Sequence, residues 1–265
     1  MPCHDTYIIK LENVSKVFKL DSSYIKALED LNLSIYNGEF LCIVGPSGCG
    51  KSTLLRILAG LEEHTSGNLT IKREPSDKPL NSMVFQGDSL FPWMTVIDNA
   101  SYGLKMQGVS KKERYEIAGE YLSKMGLEGF EKAYPHQLSG GMRQRVSVAR
   151  AFASDPEILL MDEPFGSLDE QNKIILQQEL LKIWEETRKT TIFVTHSIDE
   201  ALLLGDRVIV MTTIPGKVKS VIEVNLSRPR DFSEIRSDST FIALYQKIWR
   251  ELREEVISDA VKTNL

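Results

Sequence analysis

Residues 40–58, which read Phe-Leu-Cys-Ile-Val-Gly-Pro-Ser-Gly-Cys-Gly-Lys-Ser-Thr-Leu-Leu-Arg-Ile-Leu, leave few folds open to this chain. From Phe40 to Val44 the run is continuously apolar, the pattern of a short buried strand, and the glycines at 45, 48 and 50 stop it. Beyond Ser52 the positions Leu54, Leu55 and Leu58 fall at helical spacing. The order is strand, glycine loop, helix.

Gly45, Gly50, Lys51 and Ser52 satisfy the phosphate-loop pattern G-x-x-x-x-G-K-[ST]. Glycine lets successive backbone N–H groups turn inward around a phosphate, and the loop delivers that anion to the positive end of the next helix. Lys51 places a cation against the β- and γ-phosphates, and the Ser52 hydroxyl is a hard oxygen ligand suited to Mg²⁺. The expected cradle is therefore Gly45, Pro46, Ser47, Gly48, Cys49, Gly50, Lys51, Ser52 and Thr53. Cys49 lies inside it, so alkylation of this thiol is expected to inhibit and MgATP to protect.

The chain has 265 residues, 42% of them hydrophobic, enough to bury one large core or a core with an insertion. A net charge of −5 speaks against a broad nucleic-acid surface. Three cysteines, Cys3, Cys42 and Cys49, are an odd number, and Cys42 sits in the apolar strand; this speaks against a disulfide framework and favours a reducing compartment. Residues 1–5 carry no signal pattern, and no apolar run approaches the roughly 20 residues of a membrane helix. Work at a membrane would require another subunit to hold the chain there.

Residues 7–20 and 25–35 mix β-branched and aromatic with polar positions, an antiparallel hairpin region that leads through Tyr36-Asn-Gly-Glu39 into the central strand. Phe18, before the polar residues 21–23, is either a half-buried strand aromatic or a flat ring on which adenine stacks. Short strands are expected over residues 66–85, broken around Pro75 and Pro79, the last ending at Gln86. The apolar cluster Leu90-Phe-Pro-Trp-Met94 then opens a helix-rich stretch. Leu104, Met106, Ile117, Ala118, Tyr121, Leu122 and Met125 are available for one face of it. This reads as a helical insertion from about residue 88 to 136, running on with the following helix to about 155.

Ser139 is a good helix cap, and Gly140 and Gly141 strip side chains from a second helix start where an anion can approach. The alternative is a plain cap with Arg143, Arg145 and Arg150 solvated. Next, Ile158-Leu-Leu-Met161 fits a buried parallel strand, which places Asp162 and Glu163 at the carboxyl edge where such sheets bind ligands. Asp162 suits coordination of Mg²⁺ through its water shell, and Glu163 suits activation of the attacking water. His196 ends a further β-branched strand over residues 190–195. A helix over residues 173–189 fits the right-handed crossover between the two strands. Residues 207–226 read as a hairpin turning at Pro215-Gly216. Phe241, Leu244, Tyr245, Ile248, Trp249, Leu252 and Val256 form a helical stripe that serves either the core or a contact between subunits.

Taken together, the phosphate loop, Gln86, Leu138-Ser-Gly-Gly141, Ile158-Leu-Leu-Met-Asp-Glu163, Ser167-Leu-Asp169 and His196 resemble, in order and spacing, the ATP-binding subunit of an ABC transporter. The resemblance runs from about residue 7 to 225. It implies an α/β fold, a P-loop NTPase cassette with a mostly parallel core sheet, an antiparallel β subdomain and a helical insertion. The ATPase domain would span residues 1–230, followed by a carboxyl-terminal helical extension, 231–265. Phe18 would stack on adenine, Gln86 would reach the metal and sense the membrane partner, and Glu163 would be the catalytic base. His196 would hold the γ-phosphate or the water. Ser139, Gly140 and Gly141 would meet the γ-phosphate on a second cassette, identical or related, so that two chains sandwich two MgATP. Residues 167–169 would link the sites, with Asp169 near nucleotide. Met142 departs from the glutamine many members carry, which bears on fine contacts at the dimer seam.

Residues 90–96, 98–104 and 207–217 resemble the nitrate, sulfonate, taurine and bicarbonate import branch. That implies a peripheral subunit at the cytoplasmic face of the cell membrane, bound to permease subunits and served by an extracytoplasmic solute-binding protein. Soluble ABC ATPases of DNA repair usually carry long coiled coils or zinc modules, which this sequence lacks. A module that only holds ATP is disfavoured by the joint presence of Asp162, Glu163 and His196.

Overall fold

The computed structural model describes residues 6–20, 23–73, 76–87, 89–166 and 168–263. Residues 1–5 with Cys3, residues 21–22, Pro75 and Ser167 lie outside the described residues, and so do the expectations that rest on them. Along the chain run β1 (Tyr7–Lys19), β2 (Tyr24–Tyr36), β3 (Phe40–Val44), α1 (Lys51–Leu58), β4 (Ser66–Ile71) and β5 (Asn81–Val84). Then come α2 (Val96–Ala100), α3 (Tyr102–Met106), α4 (Lys111–Lys124), α5 (Gly140–Ala153), β6 (Ile158–Asp162) and α6 (Glu170–Thr187). The chain closes with β7 (Thr190–Val194), α7 (Ile198–Leu204), β8 (Arg207–Met211), β9 (Val218–Glu223), α8 (Phe232–Ile235) and α9 (Ser239–Thr263). Two compact units divide it, residues 1–75 with 190–265 and residues 76–189.

In the first unit β1 and β2 pair antiparallel, with Leu11 opposite Leu33, and β4 pairs with β1, with Leu11 opposite Leu69. Ile9, Leu11 and Val14 of β1 are buried while Asn13, at φ 52, sits in a bulge that resets the alternation. The parallel strands differ in pattern. β3 runs between β7 and β8, parallel to both, and all fifteen of their residues are buried. Strands covered on both faces have no polar side to show, which is why β3 is apolar throughout and the polar Thr190, Thr191 and Arg207 stand only at the starts of β7 and β8. β9 turns back antiparallel along β8. α1 buries Leu54, Leu55, Ile57 and Leu58, about 1.5–3 kcal/mol for each side chain removed from water. Gly60, at φ 71, ends it.

The second unit holds the parallel pair β5 and β6, with Val84 opposite Met161. α5 packs against α2, α3 and α4 and buries Val146, Val148, Ala149 and Phe152. Ala118, Leu122 and Met125 are buried as their spacing predicts, but Met106 is 60% exposed because α3 ends there after five residues. The carboxyl-terminal stripe also divides. Phe241 and Ile248, seven residues apart, are buried, whereas Trp249 and Val256 stand one position further round the helix and are exposed.

Candidate active site

The phosphate loop begins where β3 ends. α1 has Gly50 as its N-cap, at φ 96, and a glycine cap puts no side chain over the positive end of the helix. A side chain at position 50 would meet Leu28 Cδ2 at 2.6 Å and the Ala27 carbonyl at 2.9 Å, so packing as well as φ demands glycine. Ser47 and Gly48 form the exposed tip. Lys51 is buried, and its Nζ donates to the carbonyls of Gly45 at 2.8 Å and Pro46 at 2.9 Å, which holds the ammonium against the loop. Ser52 and Thr53 follow, half-buried. Cys49 is buried and burial pushes its thiol up, so the thiolate that an alkylating reagent needs is scarce and covered. Alkylation of Cys49, expected to inhibit, should therefore be slow.

His196 leaves the sheet beside that loop. The Thr195 N–H donates to the Ile43 carbonyl at 3.1 Å, two residues before Gly45, so both segments depart from the same edge. His196 itself is exposed, while Thr195 and Glu200 on either side of it are buried and hydrogen-bonded to each other. The Ser197 N–H donates to Thr195 Oγ1 at 3.0 Å, and Ser197 Oγ accepts from the Glu200 N–H. This small network fixes the turn that presents the histidine. Its residues were not singled out in the sequence, although Ser197 with Glu200 three positions later is a helix-start signature.

Phe18 is half-buried on β1, with Lys16 Nζ 4.7 Å from its ring centre. Lys16 is in turn bound to Glu62 at 2.6 Å and to the Glu63 carbonyl at 2.7 Å. One face of the ring thus already carries a cation.

In the second unit, parallel register brings Gln86 and Glu163 together. Each stands two residues past the paired Val84 and Met161, and Gln86 Nε2 donates to Glu163 Oε2 at 2.9 Å. Glu163 is half-buried and sits at φ 44, a left-handed conformation uncommon outside glycine, and its carbonyl accepts from Gly166 N–H at 3.1 Å. Such a bend aims the carboxylate away from the strand direction at a place where strain commonly marks function. Asp162, the last residue of β6, is buried. Among the described residues no group of three or more His, Cys, Asp or Glu could hold a metal alone. Ser52 in the first unit, and Gln86 and Asp162 in the second, each carry an oxygen donor of the hard kind that Mg²⁺ prefers.

α5 starts at Gly140, and Ser139 Oγ accepts from the Met142 N–H at 3.2 Å. Ser139 and Gly140 are exposed. The arginines that follow are engaged within the unit and do not simply extend into solvent. Arg143 donates to the Leu138 carbonyl, Arg145 to the Met125 carbonyl and Asn172, and Arg150 to Ser89. Asp169 caps α6, accepting from Asn172 N–H at 3.0 Å and Asn172 Nδ2 at 2.7 Å, and those bonds hold its carboxyl below the usual carboxylate range.

Residues 28–166 match the ABC transporter family. An uncharacterized ABC transporter ATP-binding protein of Methanocaldococcus jannaschii is 49% identical over 251 residues, 94% of this chain and 92% of that protein. The chain belongs to the ABC transporter ATP-binding family. It is an ATP-hydrolysing ABC cassette that uses MgATP. The aliphatic sulfonates import ATP-binding protein SsuB of Bacillus cereus is 44% identical over 235 residues, 86% of this chain and 92% of that protein. Among solved structures, the dimeric structure of MJ0796, a bacterial ABC transporter cassette, aligns with TM-score 0.73 and 36% identity over 83% of this chain and 100% of that one. A post-hydrolysis state of the MJ0796 dimer, bound to ADP and Pi, aligns equally well.

Proposed function

We propose that this ABC cassette powers import of a small anionic nutrient of the nitrate, sulfonate, taurine or bicarbonate type through separate membrane permease subunits. Residues 1–230 are the ATPase domain, with the insertion at about 88–155, and residues 231–265 extend it. Among the described residues no helix is long and apolar enough to cross a membrane. The importer relatives support a cassette bound to the cytoplasmic face of its permease. The sulfonate importer relatives support this branch, and an extracytoplasmic solute-binding protein supplies the cargo.

The division of labour follows from chemistry. Gly45, Pro46, Ser47, Gly48, Cys49, Gly50 and Thr53 wrap the phosphates, Lys51 neutralises them, and Phe18 offers its ring to adenine. Mg²⁺, held by Ser52, Gln86 and Asp162, supplies charge neutralisation at the β- and γ-phosphates. Glu163 takes a proton from the attacking water, oriented by the Gln86 amide, and His196 steadies the γ-phosphate. Ser139, Gly140 and Gly141 of a second cassette complete the site, with Asp169 at the seam.

The observation that carries this reading is the Gln86–Glu163 hydrogen bond, which ties the water-activating group to the residue that leads into the helical insertion. A nucleotide cycle and a permease contact are thereby joined through one side chain. For the Glu163→Gln variant we expect MgATP binding within about threefold of wild type, turnover lower by about 10²–10⁴-fold, and a dimer that elutes as such with MgATP. Turnover near the wild-type rate, or a strictly monomeric MgATP-loaded variant, overturns the reading.

A further inference from the structure

The phosphate loop has a floor, built by a segment far along the chain. Gly216, in the turn between β8 and β9, packs so closely beneath Cys49 that a side chain there would lie 2.0 Å from the Cys49 carbonyl. Its N–H donates to the Ala27 carbonyl at 2.9 Å, and its own carbonyl accepts from the Glu29 N–H at 3.0 Å. Ala27 and Leu28 are the same residues that exclude a side chain from Gly50. On the other flank Met211, the last residue of β8, stands against Gly45. The backbone of the phosphate cradle is therefore seated on β2 and on the 212–217 turn.

That turn is held from one further place. Thr212 Oγ1 donates to the Pro215 carbonyl at 3.0 Å and accepts from the Lys217 N–H at 2.9 Å, which closes the turn on itself. The Thr213 N–H points the other way, to Glu255 Oε2 of α9 at 3.1 Å. Glu255 Oε1 meets Lys219 of β9 at 2.8 Å. One carboxylate thus ties the carboxyl-terminal helix to both sides of the hairpin, with Thr213 buried and Glu255 mostly so. Its neighbour Glu254 binds the same Lys219, at 3.0 Å.

We propose that Glu255 is a positioning residue for nucleotide binding, so that α9 sets the shape of the phosphate cradle through Thr213 and Gly216. The proposal rests on the reading of residues 45–53 as the nucleotide cradle. A displacement of α9, by a permease or any other partner, would loosen the turn and with it the floor under Cys49 and Gly50. Phosphate affinity depends on several N–H groups aimed at one anion, so a small tilt of the loop weakens them together.

MgADP titration of the full chain by calorimetry tests this without involving turnover or dimer formation. We expect Glu255→Ala to weaken MgADP binding about threefold to tenfold, the effect of one charge-assisted bond passed on through the turn. Glu255→Gln, which keeps an acceptor for the Thr213 N–H, is expected to bind as wild type, and Glu254→Ala, which removes only an ion pair with Lys219, likewise. In the steady state Glu255→Ala should raise KM for ATP and leave kcat within about twofold. Wild-type affinity in Glu255→Ala overturns the proposal, as does an equal loss in Glu254→Ala or no recovery in Glu255→Gln. Should Glu255→Ala melt too low to titrate, hydrogen exchange of the amides of residues 45 and 47–50 in Glu255→Asp, whose shorter side chain draws the carboxylate back from the Thr213 N–H, is set against that in Glu254→Ala. Faster exchange in Glu255→Asp alone supports the proposal, and wild-type protection in Glu255→Asp or an equal acceleration in Glu254→Ala overturns it. Lys51→Ala separates the two failures. If it binds MgADP normally the cradle assignment itself is wrong, whereas if it loses binding while Glu255→Ala does not, only the present inference falls.

Discussion

Two helices of this molecule begin at glycine, and they do so for different reasons. α1 is capped by Gly50 at φ 96 with Leu28 and Ala27 pressed against it, so the protein's own packing forbids a side chain. α5 is entered through Ser139, whose hydroxyl satisfies one N–H, and Gly140 has ordinary φ and only the tip of Arg143, at 3.9 Å, near its missing side chain. The first glycine is required from within. The second is left bare by the fold, open to approach from outside. A self-contained cradle and an open half-cradle are what a site shared between two chains needs.

The widest separation between the halves should come from Lys51→Ala. A charge-assisted contact worth roughly 1.5–3 kcal/mol disappears, so MgATP affinity should fall about 10- to 100-fold by calorimetry while the open half at α5 is untouched. Unchanged affinity would erase the distinction. Gly50→Ala should come next. The left-handed backbone and the 2.6 Å approach of Leu28 make the substitution costly by about 1–3 kcal/mol, visible as a lower melting temperature together with weakened nucleotide binding. Gly140→Ala sharpens the contrast from the other side. We expect stability and MgADP affinity unchanged, the former within about 0.5 kcal/mol, and ATPase turnover reduced several-fold because a methyl group stands where the partner's γ-phosphate is met. If Gly140→Ala melts as low as Gly50→Ala, the two helix starts are not different in kind.

The self-contained half was the more legible in sequence, for a physical reason. Phosphate loops need backbone N–H groups at a strand exit, and glycine spacing plus an apolar run record that need directly. The parallel strands were nearly as plain, since burial on both faces leaves apolar runs with polar residues at the strand ends. What the sequence hid depends on register and on distant segments. That Gln86 and Glu163 touch follows from Val84 facing Met161, which no local pattern encodes. That Gly216 supports Cys49 requires folding residue 216 back beneath residue 49, although Pro215-Gly216 was readable as a turn. The carboxyl-terminal stripe was readable as helix, but only the docking of α9 separates buried Ile248 from exposed Trp249.

The smallest effects expected are electrostatic, and two carboxyls, one from each unit, contribute with opposite sign. Burial pushes the Glu39 carboxyl, at the start of β3, up to about 7 against the pull of Arg207 3.1 Å away. In the unfolded chain Glu39 releases its proton near 4.5. Between those values the native state holds a proton that the unfolded state has lost. This contribution to stability is therefore complete below about pH 4.5 and is lost as pH rises through about 7. Asp155, in the second unit, behaves oppositely. Partial burial pushes its carboxyl up, but Lys189 and Lys78 outweigh that and hold it below the usual range. Its contribution is present above the unfolded value of 3.8 and is lost as pH falls through the lower native one. Melting curves from pH 3 to 8 should separate the two. Glu39→Gln should flatten the decline between about pH 4.5 and 7, by about 2–5 °C at most. Asp155→Asn, tolerated at φ 49 because asparagine readily adopts that conformation, should change only the acid limb. A Glu39→Gln profile parallel to wild type across that window would show that Arg207 keeps the buried carboxylate charged throughout, and Glu39 would then titrate like Asp155.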